Sequence, residues 1–162
     1  MARRLVAAFI DCCIISAYAL SLYLASLLVP QVRIWLSHHA ASHVGAFLLL
    51  TIPAAGYLSL AEASSSGATL GKRLMGIRVI SVAGGRLSIF RSMLRSAVRF
   101  IPWELAHSAI WRTHFGAEFS PHSVPFWLIA AAYALVLANI ASQLLDRRRR
   151  ALYDFIAGSQ VE

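Results

Sequence analysis

The sequence predicts an all-α integral membrane protein, a bundle of four membrane helices with a small cytoplasmic β-hairpin, folded as one domain over residues 1–162. Three observations predict it. Of the 162 residues 59% are hydrophobic and only 14% charged, against roughly 45–50% and 25% in soluble domains, and a core this small cannot hide so much apolar surface. At about 1.5 Å of rise per residue, about 20 apolar residues cross a hydrocarbon layer of about 30 Å; residues 5–29, 44–63 and 124–145 each supply such a run. The basic residues gather at the ends of these runs, where Lys and Arg orient a membrane protein and meet anionic headgroups. The net charge of +8 is therefore read as a lipid-facing charge, and no nucleic-acid partner is expected.

Along the chain, Met1-Ala2-Arg3-Arg4 is short and basic, which places it in the cytoplasm and sends the first helix outward. Ala17-Tyr18-Ala19 resembles a signal cleavage site, but the apolar run continues past it and carries Asp11, so the segment reads as a retained span. Cys12 and Cys13 are adjacent, hence about 100° apart around the helix, and make no disulfide framework. The loop over 30–43 lies outside with Arg33. The second span, with Pro53 inside it, returns to the cytoplasm near Glu62, and Ser64-Ser65-Ser66-Gly67 forms a turn. Ile77-Arg78-Val79-Ile80-Ser81-Val82 alternates and is β-branched, and Gly84-Gly85 supplies the turn of a hairpin over about 76–88. Ser88 is then the N-cap of a helix that begins at Ile89.

That helix decides the topology. Arg91, Arg95 and Arg99 fall in one stripe beside Ser92 and Ser96, with apolar residues opposite. Lying flat on the surface, it leaves three spans and strands Arg147, Arg148, Arg149 and Arg150 outside, against the positive-inside bias. If 89–111 crosses, both termini are cytoplasmic, and of the 15 basic residues only Arg33 and Arg112 lie outside. The tally favours four spans, which makes Arg99 and Glu104 intramembrane charges that must face other helices or water. In the last span Ala130, Ala134, Ala138 and Ser142 recur every four residues, the pattern of close helix packing in lipid, and Asn139 and Gln143 beside them are expected to bond across helices.

Asp11 is the sharpest single feature, an aspartate two turns into an apolar span, where its charge costs several kcal/mol unless it is paired or protonated. Arg4, Arg95 and Arg99 are its candidate counter-charges. Glu104 and His107, three apart, share a helix face and are able to pass a proton or to anchor at headgroups. His38, His39, His43, His114 and His122 all fall in the outer loops; without cysteines or carboxylates beside them no metal site is expected. Gly67-Ala68-Thr69-Leu70-Gly71-Lys72-Arg73 has three residues between its glycines where a phosphate loop needs four, and Arg where Ser or Thr binds magnesium, so no nucleotide cofactor follows. No set of nucleophile, base and orienting group is present, and no enzyme is expected.

Arg4-Leu5-Val6-Ala7-Ala8-Phe9-Ile10-Asp11, Ala68-Thr69-Leu70-Gly71-Lys72-Arg73-Leu74-Met75-Gly76-Ile77-Arg78-Val79, Leu94-Arg95 and Tyr153-Asp154-Phe155-Ile156-Ala157-Gly158-Ser159-Gln160-Val161 stand in an order and spacing that resemble the RDD family of small, mostly bacterial membrane proteins. The resemblance implies that Arg4, Asp11 and Asp154 are the name residues. Ser159 stands where the family's tail usually has Thr, and the histidine-bearing stretch between Ile101 and Val124 is unusually long. The resemblance also implies the bacterial cytoplasmic membrane and transport of unidentified ligands, with cation/proton exchange among the possibilities. The leading expectation is a small transporter, with Asp11 as the ion- or proton-binding carboxylate, working as a homo-oligomer because four helices leave little room for a private pathway. The alternative is a noncatalytic module that binds anionic lipid or a partner protein through Lys72, Arg73, Arg78, Arg147, Arg148, Arg149 and Arg150.

Overall fold

The computed structural model describes residues 2–29, 31, 34 and 39–162. Arg33 and His38 lie outside the described residues, as does the side chain of His39. The chain is mostly helical with one small two-stranded sheet. The first run forms α1, Ala2–Leu28. The second forms a rod of three pieces: α2, His39–Ala46, a π-helical turn over Phe47–Thr51, and α3, Ile52–Ala63. Pro53 sits in the first turn of α3, directly after the π-helical turn. A short α4, Leu70–Leu74, leads to β1, Val79–Ser81. Two long helices follow, α5 over Ile89–His114 and α6 over Val124–Leu145, then α7 over Leu152–Ala157 and β2 over Ser159–Val161.

Among the described residues three helices, Ala2–Leu28, His43–Ala63 and Val124–Leu145, are long and apolar enough to cross a membrane. Helix α5 has 26 residues, about 39 Å, but more charge. Its amphipathicity is inverted relative to a soluble helix. Ser92, Arg95 and Ser96 are buried against α3 and α7, while Phe90 and Met93 are exposed on the opposite side. The expected N-cap forms, the hydroxyl of Ser88 accepting from the Arg91 N–H at 3.4 Å, and Ser123 caps α6 in the same way by accepting from the Phe126 N–H at 3.4 Å.

Helix α1 makes its main helix–helix contact with α4 and buries only Ala7 and Asp11. The contact is so close that a Cβ on Gly71 would lie 2.2 Å from the Ala7 carbonyl oxygen. Only glycine fits there.

The predicted hairpin is corrected in its pairing. Its turn forms, with the Ser81 N–H donating to the Gly85 carbonyl at 3.1 Å, and Ile80 bridges Arg86. The ladder, however, joins β1 to β2 antiparallel, Val79 opposite Val161 and Ser81 opposite Ser159. The returning arm has two residues before Ser88 starts α5, too few for a strand, so the other edge of β1 takes the carboxyl-terminal strand. Asn139 and Gln143 are corrected as well. Their amides donate within α6, to the carbonyls of Leu135 at 2.9 Å and Asn139 at 3.4 Å.

Candidate functional site

The fold collects five charged side chains in one place. Glu62, at the end of α3, is fully buried; its Oε1 pairs with the ammonium of Lys72 and its Oε2 with the guanidinium of Arg95. Arg99, one turn beyond Arg95, lies 3.6 Å from Glu62 Oε1 and keeps 26% of its side chain exposed. Arg95 also donates through Nε to Asp154 Oδ1 at 2.7 Å. Asp154 accepts in addition from the Ser159 hydroxyl at 3.0 Å and the Ala151 N–H at 3.1 Å, which caps α7. The Tyr153 ring lies under both guanidinium groups, 5.0 Å from Arg95 and 4.7 Å from Arg99, a favourable cation–π arrangement. Buried charges persist only when paired and hydrogen-bonded, which the stripe on α5 achieves by facing α3 and α7.

Burial pushes the Lys72 ammonium down to about 8, outweighing the attraction of Glu62, with Arg99 and Arg95 adding to the fall. At neutral pH the cluster thus holds three cations against two carboxylates. Lys72 is a correction to the expected lipid contact: its side chain is 9% exposed and turned to Glu62.

Asp11 is the second correction. It has no cation within 4.0 Å among the described residues; the hydroxyls of Tyr57 at 3.0 Å and Thr69 at 2.5 Å and the N–H of Gly71 at 3.0 Å donate to its two oxygens. Arg95 and Arg99 are taken up by the carboxylates of α3 and α7. Arg4 is committed to backbone, donating to the carbonyls of Arg149 at 2.5 Å and Val161 at 2.6 Å. Asp11 thus latches α1 to the α4 turn, and Arg4 latches the start of α1 to the tail.

Glu104 stands apart from this cluster, bonded by the Thr51 hydroxyl at 2.5 Å, and His107 accepts from the Trp111 indole N–H at 3.1 Å. Each has its own partner. His43 lies 2.9 Å from the Ser108 hydroxyl, and no group of three metal-ligating side chains forms among the described residues. Arg73, Arg78, Arg147, Arg148 and Arg149 are exposed, whereas Arg150 pairs with Asp146 at 3.1 Å and lies over the Phe155 ring. Glu62 is the site residue that sequence reasoning missed. The signal was present: it is the one carboxylate in the second apolar run, and a charge there calls for a partner as much as Asp11 does.

Arg4, Asp11 and Asp154 line one cleft of about 410 Å³ between α1 and the body of the bundle, together with Lys72, Arg95 and Arg99. The model of the RDD family matches residues 1–158. The chain belongs to this family. The three residues expected to carry the family's name therefore share a cleft without pairing with one another. The hydroxyl that Ser159 retains in place of Thr serves Asp154. No curated protein and no solved structure matches the chain.

Proposed function

We propose that this RDD-family chain is a noncatalytic, four-helix module of the bacterial cytoplasmic membrane that holds anionic lipid on a basic cytoplasmic face. The meeting of the chain's two ends supports the topology. Arg4 bonds Arg149 and Val161, so the start of α1 and the tail lie on one side, and that requires an even number of crossings. Three apolar helices give an odd number; α5 supplies the fourth. Its inverted face, arginines inward and Phe90 and Met93 outward, suits a helix surrounded by lipid and not one lying at the water surface.

The observation that carries the function is the gathering of exposed arginines at this end. Arg3, Arg73, Arg78, Arg86, Arg147, Arg148 and Arg149 are exposed there, and contacts among α1, the β1 turn and the tail tie them to one face. Each gains about 1 kcal/mol near an anionic surface. The full chain purified from a mixed membrane is expected to retain phosphatidylglycerol or cardiolipin over phosphatidylcholine. Equal retention overturns the reading.

Cation or proton transport is the second reading, favoured by one observation: Asp11 lines a cleft within the first span. It stands second because both oxygens of Asp11 are occupied by neutral donors, and because the charges around the cleft repel a cation. Proton-coupled flux in liposomes that Asp11→Asn abolishes would reverse the order, and a homo-oligomer would then be required.

A further inference from the structure

The cleft differs from the exposed arginine face in being a recessed, partly open pocket whose walls are largely apolar and which also carries charged side chains. We infer that it is a discrete site for one anionic glycerophospholipid, with the phosphodiester on Arg99 and an acyl chain between α1 and α5. The inference rests on the membrane reading above and adds a single saturable site to it.

Charge complementarity is the first argument. Arg4, Lys72, Arg95 and Arg99 stand around the cleft against Asp11, Asp154 and Glu62, four cations against three carboxylates. The surplus is one positive charge, and a phosphodiester carries one negative charge at neutral pH. The surplus has a location. Arg95 and Lys72 are buried in close pairs, and Arg4 spends its donors on carbonyls, but Arg99 meets Glu62 only at 3.6 Å with a quarter of its side chain open. Its guanidinium has donors free for bidentate contact with phosphate oxygens.

The walls argue for a lipid over a free anion. Leu5, Ala8, Ile15, Leu50, Phe100 and Trp103 line the cleft beside the charged groups. Helix α1 buries only Ala7 and Asp11, so the cleft opens sideways between helices where hydrocarbon lies. Its volume of about 410 Å³ falls in the range of small-molecule sites, about 300–1,000 Å³, enough for a headgroup and the upper part of a chain.

Native mass spectrometry of the full chain in neutral detergent, titrated with phosphatidylglycerol or phosphatidylcholine, tests this. The chain is expected to hold one phosphatidylglycerol at least about tenfold more tightly than phosphatidylcholine, whose choline cation offsets the phosphodiester charge that the surplus cation attracts; tenfold is the scale of a charge-assisted bond. Arg99→Gln is expected to lose that preference and Arg99→Lys to keep part of it. Ala8→Trp, which fills the cleft and leaves every charge in place, is expected to lose the bound lipid while melting as the wild type does. The triple variant Arg147→Gln, Arg148→Gln, Arg149→Gln is expected to shed weaker additional lipids and keep the tight one. If Arg99→Gln and Ala8→Trp both hold the tight lipid and the triple variant loses it, the cleft site is overturned and the basic face stands. Equal binding of the two lipids by the unaltered chain overturns both. A lipid-free dimer that Ala8→Trp disrupts gives the cleft to a second copy and overturns the proposal.

Discussion

At the scale of single residues, the two carboxylates within the apolar spans are held in opposite ways. Asp11 accepts from three neutral donors, whereas Glu62 faces three cations. Asp11→Asn therefore removes charge assistance from hydrogen bonds, about 1.5–3 kcal/mol. Glu62→Gln leaves buried cations unpaired, about 3–5 kcal/mol. Thermal unfolding in detergent should rank Glu62→Gln below Asp11→Asn, and the reverse rank would contradict the pairing. Lys72 is the only lysine in the chain, so lysine-labelled protein should give one side-chain ammonium resonance. Burial moves its midpoint down to about 8 from an ordinary 10.5. The unfolded chain thus holds the extra proton between these values, and the Lys72 contribution to stability rises with pH across that window. A resonance midpoint above about 10, close to the unperturbed value, would contradict its burial. The sequence showed that Asp11 needed a partner but not which one. Spacing along one helix brings Arg4 to mind, while the donors come from Tyr57, Thr69 and Gly71, whose approach depends on how α4 folds back.

Among the elements, α1 shows how little contact holds a long helix here. Its packing on α4 depends on Gly71, where a methyl group would collide with the Ala7 carbonyl. Gly71→Ala should cost about 1–3 kcal/mol, the usual penalty of overpacking, and separate α1 from the bundle. Loss of protease protection at the α1 start without loss of the other helices would be its signature; unchanged stability would contradict the close approach. The apolar runs, the cap at Ser88 and the turn at Gly84-Gly85 were legible because each is encoded within a few residues. The partner of β1 was not. Strand pairing over eighty residues leaves no local pattern, and Ser159–Val161 is too short to read as a strand on its own. Helix α5 was legible as a stripe of arginines, yet the stripe alone fits both a surface helix and an inverted one; packing against α3 and α7 gives it direction.

For the molecule as a whole, the account turns on the two chain ends sharing one side and α5 crossing between them. Single cysteines placed in a background without Cys12 and Cys13 and exposed to a membrane-impermeant maleimide on intact cells test this most directly. Glu118→Cys lies in the α5–α6 connection and Arg148→Cys just beyond α6, both at exposed positions. Four crossings predict that Glu118→Cys is labelled in intact cells and that Arg148→Cys is labelled only after the membrane is opened. The reverse, labelling at Arg148→Cys and protection at Glu118→Cys, would lay α5 on the cytoplasmic surface and contradict the account.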